Sequence, residues 1–393
     1  MAADAPPTAL EGLRVLDLSF FAPGRAASLF LADLGAEVVC VEMPRGLRPS
    51  ESRLDDDTTS RWLLYQRNKK SITLNLKTPG GRAIFERLVR QVDVVIESYK
   101  PGTAKNLGVD YKIASQLNPS IIYCSVSGFG QTGPYSHLAG HEPNYQGLSG
   151  ALGQNHLEGV APTVLPTLVG DIAGGAMNAT IAILSALLYK GRTGKGQYID
   201  VGIASGILPL LGSLPHAQWL GEHVRQTSFA AGLRADFRAY ETSDGRYVGI
   251  SPSSPWLWKK FCHVIGRDDL TDRPGNDPDD RELVAILVET FKTKTQAEWV
   301  EINNRENICV TAVLMNVSEI EHDPQMIHRK VIVETEYEPM GMVKQILTPF
   351  QMSETPPSVR WIPRYGEYTE SVLGDLGFSG DEVLEFREKG VIE

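Results

Sequence analysis

Asp171 stands in Pro166-Thr-Leu-Val-Gly-Asp-Ile-Ala-Gly-Gly-Ala176, after a short extended run and before an apolar stretch, Ile172 to Tyr189, that reads as a helix. A carboxylate there suits nucleophilic chemistry. Unpaired backbone N–H groups at a helix start hold it ionised, and Gly174, Gly175 and Ala176 leave room for a bulky substrate. The same position suits a helix N-cap, whose side chain satisfies one N–H and does nothing else. His141, in Ala139-Gly-His-Glu-Pro-Asn-Tyr145, adds an imidazole that changes charge near neutral pH, serving either as a proton shuttle or as a donor to a backbone carbonyl. Arg67-Asn-Lys-Lys70 and Lys100-Pro-Gly102 offer positive charge for a ligand's phosphates, or a solvated rim.

These groups need a frame, and the opening third of the chain supplies strand and helix signals in alternation. Arg14–Ser19 reads as a strand, Ala26–Leu34 as a helix, and Glu37–Glu42 as the next strand. The pattern returns with strand Ser71–Leu76, helix Gly80–Arg90, and strands Asp93–Glu97, Ile121–Val126 and Gln197–Val201. Such alternation predicts an α/β fold with a parallel sheet covered by helices. Four Gly- and Pro-rich segments follow predicted strands, where open α/β sheets build their sites: Ala22–Arg25, Ser127–Pro134, Ala139–Tyr145 and Val169–Asp171. No Gly-x-Gly-x-x-Gly follows the first strand, so nothing supports a dinucleotide cofactor there.

The domain plan places residues 1–201 in a large Rossmann-like domain, 202–231 in a linker, 232–335 in a small domain, and 336–393 in a linker and return to the large domain. Within the small domain, Tyr240–Ile250 reads as a hairpin around Asp244-Gly245, and Trp256–Ile265 and Arg281–Phe291 read as helices.

The chain has 393 residues, 42% of them hydrophobic, with room for two cores. A formal net charge of −10 argues against a dedicated nucleic-acid binder. Cys40, Cys124, Cys262 and Cys309 are widely spaced, as expected of reduced thiols in a cytoplasmic protein and not of a zinc site. The first residues lack the pattern of a secretory signal. Ile172–Tyr189 contains Asn178, Thr180 and Ser185 and ends in Lys190-Gly-Arg192, so it is expected to be a buried helix and not a membrane span.

Several ordered motifs carry a resemblance across nearly the whole chain. They are Leu13–Leu18 with Leu31–Val39, Asn68–Lys77, Lys100-Pro-Gly-Thr103, Ser127–Pro134, Thr193-Gly-Lys-Gly-Gln197 and Gly366-Glu-Tyr-Thr369. Together they resemble the family III CoA-transferases, a group that includes formyl-CoA and carnitine CoA-transferases and the α-methylacyl-CoA racemases. The resemblance implies an interlocked homodimer, each chain with a Rossmann-like large domain formed by both termini and a smaller α+β domain. It implies coenzyme A thioester substrates and no permanently bound cofactor or metal. Asp171 falls on the family's catalytic aspartate and His141 on the second base of its racemases. Substrate contacts are implied for Ala22, Pro23, Gly24, Arg45, Asn68, Lys69, Lys70, Ile72, Ser98, Lys100, Lys105, Gly128 and Tyr145, with Arg45 standing in for an arginine that many relatives carry where this chain has Met43.

Two chemistries follow from the resemblance. A transferase would use Asp171 to carry CoA from an acyl-CoA donor to a carboxylic acid acceptor, aromatic or dicarboxylic, through anhydride and aspartyl-CoA thioester intermediates. A racemase would use Asp171 and His141 as bases on opposite sides of the α-carbon. Ala22-Pro-Gly24 and Gly140-His141 resemble the racemase branch, but Ser254 falls where racemases carry the glutamate that orients the histidine. The transferase is preferred because its indispensable group is a single carboxylate, which is intact. A non-catalytic acyl-CoA-binding partner subunit is a third reading, disfavoured because the nucleophile remains.

Overall fold

The computed structural model describes residues 7–47, 58–155, 160–221 and 234–393. The chain forms two compact units: Met1–Ser149 with Thr167–Leu208 and Pro324–Glu393, and Gly150–Pro166 with Pro209–Asp323.

The first unit is built on six parallel strands: β1 (Arg14–Asp17), β2 (Glu37–Glu42), β3 (Lys69–Thr73), β4 (Val94–Glu97), β5 (Ile122–Ser127) and β6 (Gln197–Gly202). Their spatial order is β3-β2-β1-β4-β5-β6, so the connections change direction between β1 and β4. A crevice opens where strand order reverses in such a sheet, beyond the strands' carboxyl ends. Strands β2, β4 and β5 are almost wholly buried, with apolar runs such as Val38–Val41 and Val94–Ile96, because both faces are covered. Leu16, Val39, Ile72, Val95 and Tyr123 share a core with Ile84, Phe85 and Leu88 of α3 (Pro79–Val89).

The C-terminal return completes that core with Val372, Leu373, Val383, Val391 and Ile392. It is tied in by backbone bonds, Asn75 N–H donating to the Val391 carbonyl at 2.7 Å, and by Glu393 N–H donating to Thr73 Oγ1 at 2.9 Å. The return begins at Pro324, earlier than the expected 336, because Tyr337 and Val343 of the hairpin Ile332–Tyr337/Gly341–Ile346 pack with Trp62 and Ile362 of this unit. At the other boundary, the start of the expected linker is helix Ile203–Ile207, which belongs to the first unit. Residues 222–231 of that linker lie outside the described residues.

α1 (Ala22–Asp33) begins four residues earlier than the sequence reading, so Ala22-Pro-Gly-Arg25 is a first helical turn and not a loop. Pro23 suits that turn, where its fixed φ is already helical and its missing N–H costs nothing. The long apolar helix also begins early: Val169–Met177 is wound as a π-helix and continues as an α-helix over Asn178–Thr193. It is long and apolar enough to cross a membrane by length and composition alone, with 39% of its most apolar window buried. Ala179, Ile183 and Ala186 are buried, whereas Ile181 is 62% and Leu188 73% exposed, so the expectation of a buried helix holds for one face only.

The second unit has an antiparallel sheet, β7 (Arg238–Glu241), β8 (Tyr247–Ile250) and β9 (Val310–Ala312), in that order. Helices Pro255–Val264, Arg281–Phe291 and Gln296–Glu306 supply Phe261, Phe291 and Trp299 to its core.

Candidate active site

A cavity of about 800 Å³ lies beyond the carboxyl ends of β1, β4 and β5, at the reversal of strand order. Its walls come from the start of α1 (Phe21, Ala22, Pro23), one face of α2 (Ser60–Gln66), the β4 exit (Ser98 to Pro101) and the β5 exit (Val126 to Phe129). Leu138 to His141, with Ser136, Tyr145, Leu168, Asp171 and Ile203, complete the lining. Asp171 and His141, thirty residues apart in sequence, therefore face one space.

Asp171 occupies the first turn of the π-helical segment, whose preceding residue is Leu168, so it is not the N-cap. The cap comes from another helix. Glu142, the first residue of α6 (Glu142–Leu148), accepts the N–H of Gly170 at 2.5 Å and that of Asp171 at 2.9 Å. Gln146, one turn along α6, donates its side-chain amide to Glu142 at 2.9 Å and fixes that carboxylate in turn. The backbone of the candidate nucleophile is thus held by a brace that leaves its own oxygens to the cavity.

The electrostatics reverse the expectation of a strongly stabilised carboxylate. Burial lifts the Asp171 pKa from the ordinary 3.8 to about 6, the Glu142 charge adds to the rise, and His141 and Arg61 oppose it. The helix-start N–H groups that would have held it ionised are engaged by Glu142. Above pH 6 the group is an anion less stabilised than a solvated carboxylate, which makes it a better nucleophile or base.

The small residues after Asp171 serve packing, not substrate access. A Cβ on Gly174 would lie 2.7 Å from the Ile203 carbonyl oxygen, and one on Gly175 would lie 2.9 Å from the Pro23 Cβ. Their absence lets the π-helical segment press against helix Ile203–Ile207 and α1, which sets where Asp171 sits.

His141 precedes α6 with extended backbone, and its N–H donates to Asn144 Oδ1 at 3.0 Å. The Tyr145 hydroxyl donates to the Gly140 carbonyl, and burial followed by the Asp171 and Glu142 charges raises its pKa to about 12. Gly128 admits that ring, since a Cβ there would be 2.6 Å from Tyr145 Cε1.

The remaining predicted residues divide. Ala22, Pro23, Ser98, Lys100, Gly128 and Tyr145 line the cavity with Asp171 and His141. Gly24 is buried inside α1, where a Cβ would collide with Ser19 Oγ at 2.1 Å. Arg45 is exposed, pairs with Glu393 at 3.4 Å and lies 4.3 Å from the Tyr365 ring centroid. Lys105 is exposed on the short helix Thr103–Leu107, and Ile72 is in the sheet core. None of these four is a wall residue.

The 67–70 segment is not the solvated rim that its charge implies. Lys69 is wholly buried, 3.3 Å from Asp17, and donates to the Arg25 carbonyl at 2.9 Å and Ser28 Oγ at 2.7 Å. Arg67 pairs with Asp33 at 2.8 Å, and Asn68, at φ 60°, donates to Asp33 and to the Ser358 carbonyl. Only Lys70, paired with Glu37 at 2.9 Å, reaches solvent. This segment locks β1, α1 and the C-terminal return together.

Three residues stand out only in three dimensions. Glu142 lies within a Gly- and Pro-rich segment noted above, but its partners are 28 and 29 residues away. Arg61 and Tyr65 line the cavity from α2, a helix too short to leave a clear periodic signal. Among the described residues, no group of three or more His, Cys, Asp or Glu side chains is placed to hold a metal ion.

Comparison with known proteins agrees with this architecture. The family model described as CoA-transferase family III matches residues 10–369. The chain is 33% identical over 391 residues to human alpha-methylacyl-CoA racemase, spanning 98% of each chain. It is 31% identical over 407 residues to succinyl-CoA–D-citramalate CoA-transferase of Chloroflexus aurantiacus, spanning all of both. The crystal structure of a CAIB/BAIF family protein from Brucella suis superposes with a TM-score of 0.80 at 27% identity, covering 94% of this chain and 99% of that one.

Proposed function

The chain belongs to CoA-transferase family III, and we propose that it moves CoA from an acyl-CoA thioester to a carboxylic acid, with Asp171 as the covalent nucleophile. The observation that carries this reading is the Asp171 carboxylate in the cavity wall, its backbone braced by Glu142 and its pKa raised to about 6. An Asp171 oxygen attacks the thioester carbonyl carbon, and the C–S bond breaks to give an acyl-aspartyl anhydride and CoA thiolate. The thiolate attacks the aspartyl carbonyl, releasing the donor acid and leaving an aspartyl-CoA thioester. The acceptor carboxylate attacks the aspartyl carbonyl of that thioester, expelling CoA thiolate and forming an acceptor–aspartyl anhydride; the thiolate then attacks the acceptor acyl carbon, giving the new CoA thioester and freeing Asp171. Each intermediate keeps the energy of the thioester from being lost to water, which requires a sheltered site. Apolar lining from Phe21, Leu64, Leu138 and Leu168 supports that shelter.

A two-base racemase is the second reading, favoured by His141 in the same walls as Asp171 and by the likeness to the human racemase. Against it, Ser254, where racemases carry the orienting glutamate, is the N-cap residue of helix Pro255–Val264 and offers no carboxylate. The interlocked homodimer belongs to the proposal as well. Exposed Ile181 and Leu188 on the long helix support a face covered by a second copy, and light scattering reads it directly.

Incubation with an acyl-CoA in deuterated water, and separately with a free acid, tests the choice. Transfer predicts CoA moving to the acid and hydroxylamine trapping at Asp171. Deuterium entering the α-position without any acid, and no trapping, would reverse the assignment.

A further inference from the structure

A thioester that is attacked at its carbonyl carbon, or loses a proton from its α-carbon, gathers negative charge on the carbonyl oxygen, and a hydrogen-bond donor in the cavity must meet it. Several donors at the wall are already engaged. The N–H groups of Gly170 and Asp171 go to Glu142, the Phe21 N–H goes to Ser98 Oγ at 3.3 Å, and Pro23 has none. Among the wall hydroxyls, Tyr145 donates to the Gly140 carbonyl and Ser136 donates to the Gly133 carbonyl at 3.0 Å.

Tyr65 is differently placed. It lies on α2, which is fixed in rotation by its inward face: Trp62 Nε1 donates to the Pro363 carbonyl at 3.0 Å, and Gln66 Nε2 donates to Glu42 at 2.8 Å. The Thr59 hydroxyl caps the helix by accepting the Trp62 N–H at 3.2 Å. With those contacts made, helical spacing turns Leu64 and Tyr65 to the cavity. Tyr65 is only 6% exposed, yet its hydroxyl makes no hydrogen bond to any described residue. That oxygen is not sealed in the core, so it opens on the space that Asp171 borders. A phenylalanine would pack as well, so folding does not account for the oxygen. Burial raises the Tyr65 pKa above the ordinary 10.0; Arg61 opposes the rise and the Asp171 charge adds to it. The phenol therefore keeps its proton at neutral pH and can donate.

We infer that the Tyr65 hydroxyl is a catalytic hydrogen-bond donor to the carbonyl oxygen of the bound thioester. When an Asp171 oxygen adds to the carbonyl carbon, the C=O π pair moves onto that oxygen, where the hydrogen bond from Tyr65 stabilises the charge. The pair returns as the C–S bond breaks and the thiolate leaves. No proton changes hands with Tyr65. In the racemase reading the same donor holds the enolate oxygen. This inference rests on the CoA-thioester reading of the cavity but not on the choice between transfer and racemisation.

Acetyl-CoA isotopically labelled at its carbonyl carbon, bound to the Asp171→Asn protein so that no acylation follows, tests it by difference infrared spectroscopy. The carbonyl band should lie at lower frequency than in free acetyl-CoA, and adding Tyr65→Phe should return it to the free position. In otherwise wild-type protein, Tyr65→Phe should slow single-turnover acylation of Asp171 by acetyl-CoA roughly hundredfold, with the affinity for free CoA and the melting temperature unchanged. An undiminished acylation rate in Tyr65→Phe, or a band shift that survives the substitution, overturns the inference. A Tyr65-dependent band shift in a protein that transfers no CoA would break the transferase proposal and keep this one. Failure of acetyl-CoA to bind would sink the thioester site, and this inference with it.

Discussion

The carboxylate of Glu142 accepts the backbone N–H of Asp171 at 2.9 Å, so the candidate nucleophile is positioned by a second acid that also repels its charge. One side chain thereby sets both where Asp171 sits and how readily it ionises.

Replacing that acid separates the two effects. In Glu142→Gln the like charge is gone, so the acid limb of the kcat/KM profile, which reports the free enzyme, should move below its wild-type position near pH 6. An amide accepts through one oxygen only, so one of the two N–H bonds is lost and kcat should fall roughly three- to tenfold. A pH-rate series on both proteins reads the two changes together; an acid limb that stays in place refutes the electrostatic part.

Asp171→Asn should remove transfer activity by roughly a thousandfold or more and, at neutral pH, raise the melting temperature. The folded-state pKa of about 6 lies above the ordinary 3.8, so the native protein binds the extra proton between those values and stability falls as pH rises through them. The variant escapes that loss. Its thermal advantage should be full above pH 6 and should vanish near pH 4, as melts at pH 7.5 and pH 4 would show.

His141→Ala divides the two chemistries. Loss of deuterium wash-in with substantial CoA transfer retained is the expected outcome for a protein whose histidine faces Asp171 without being the nucleophile. Equal loss of both activities would give the imidazole an obligatory role in transfer.

Two adjacent lysines should differ sharply in their effect on folding. Lys69→Met strands Asp17 as an unpaired buried charge and should cost about 3–5 kcal/mol, whereas Lys70→Ala removes a surface pair with Glu37 and should cost less than about 1 kcal/mol. Urea denaturation of both variants measures the contrast.

The sheet was legible because Val38–Val41, Val94–Ile96 and Ile121–Cys124 are apolar on both strand faces, a pattern that few other local structures share. Asp171 and His141 were legible as residue types beside strand exits. Lys69 was not, because a lysine reads as surface until its partners, Asp17 and Ser28, arrive from 52 and 41 residues away. Glu142 was hidden for a similar reason, and α2 because seven residues hold two turns whose inward Gln66 breaks any apolar stripe. In each case the missing information was a contact between distant segments, not a local preference.

The π-helical winding of Val169–Met177 has a consequence for how this stretch can vary. Such a segment carries one residue more than an α-helix of the same rise, and loss of a residue after Asp171 would let it relax to ordinary winding. Because one α-helical residue spans about 100° of rotation, the acid would then swing off the crevice while every neighbouring side chain kept its identity. Deletion here should therefore be far less tolerated than substitution, and a descendant chain shortened by one residue between positions 172 and 177 would retain the fold while losing its chemistry.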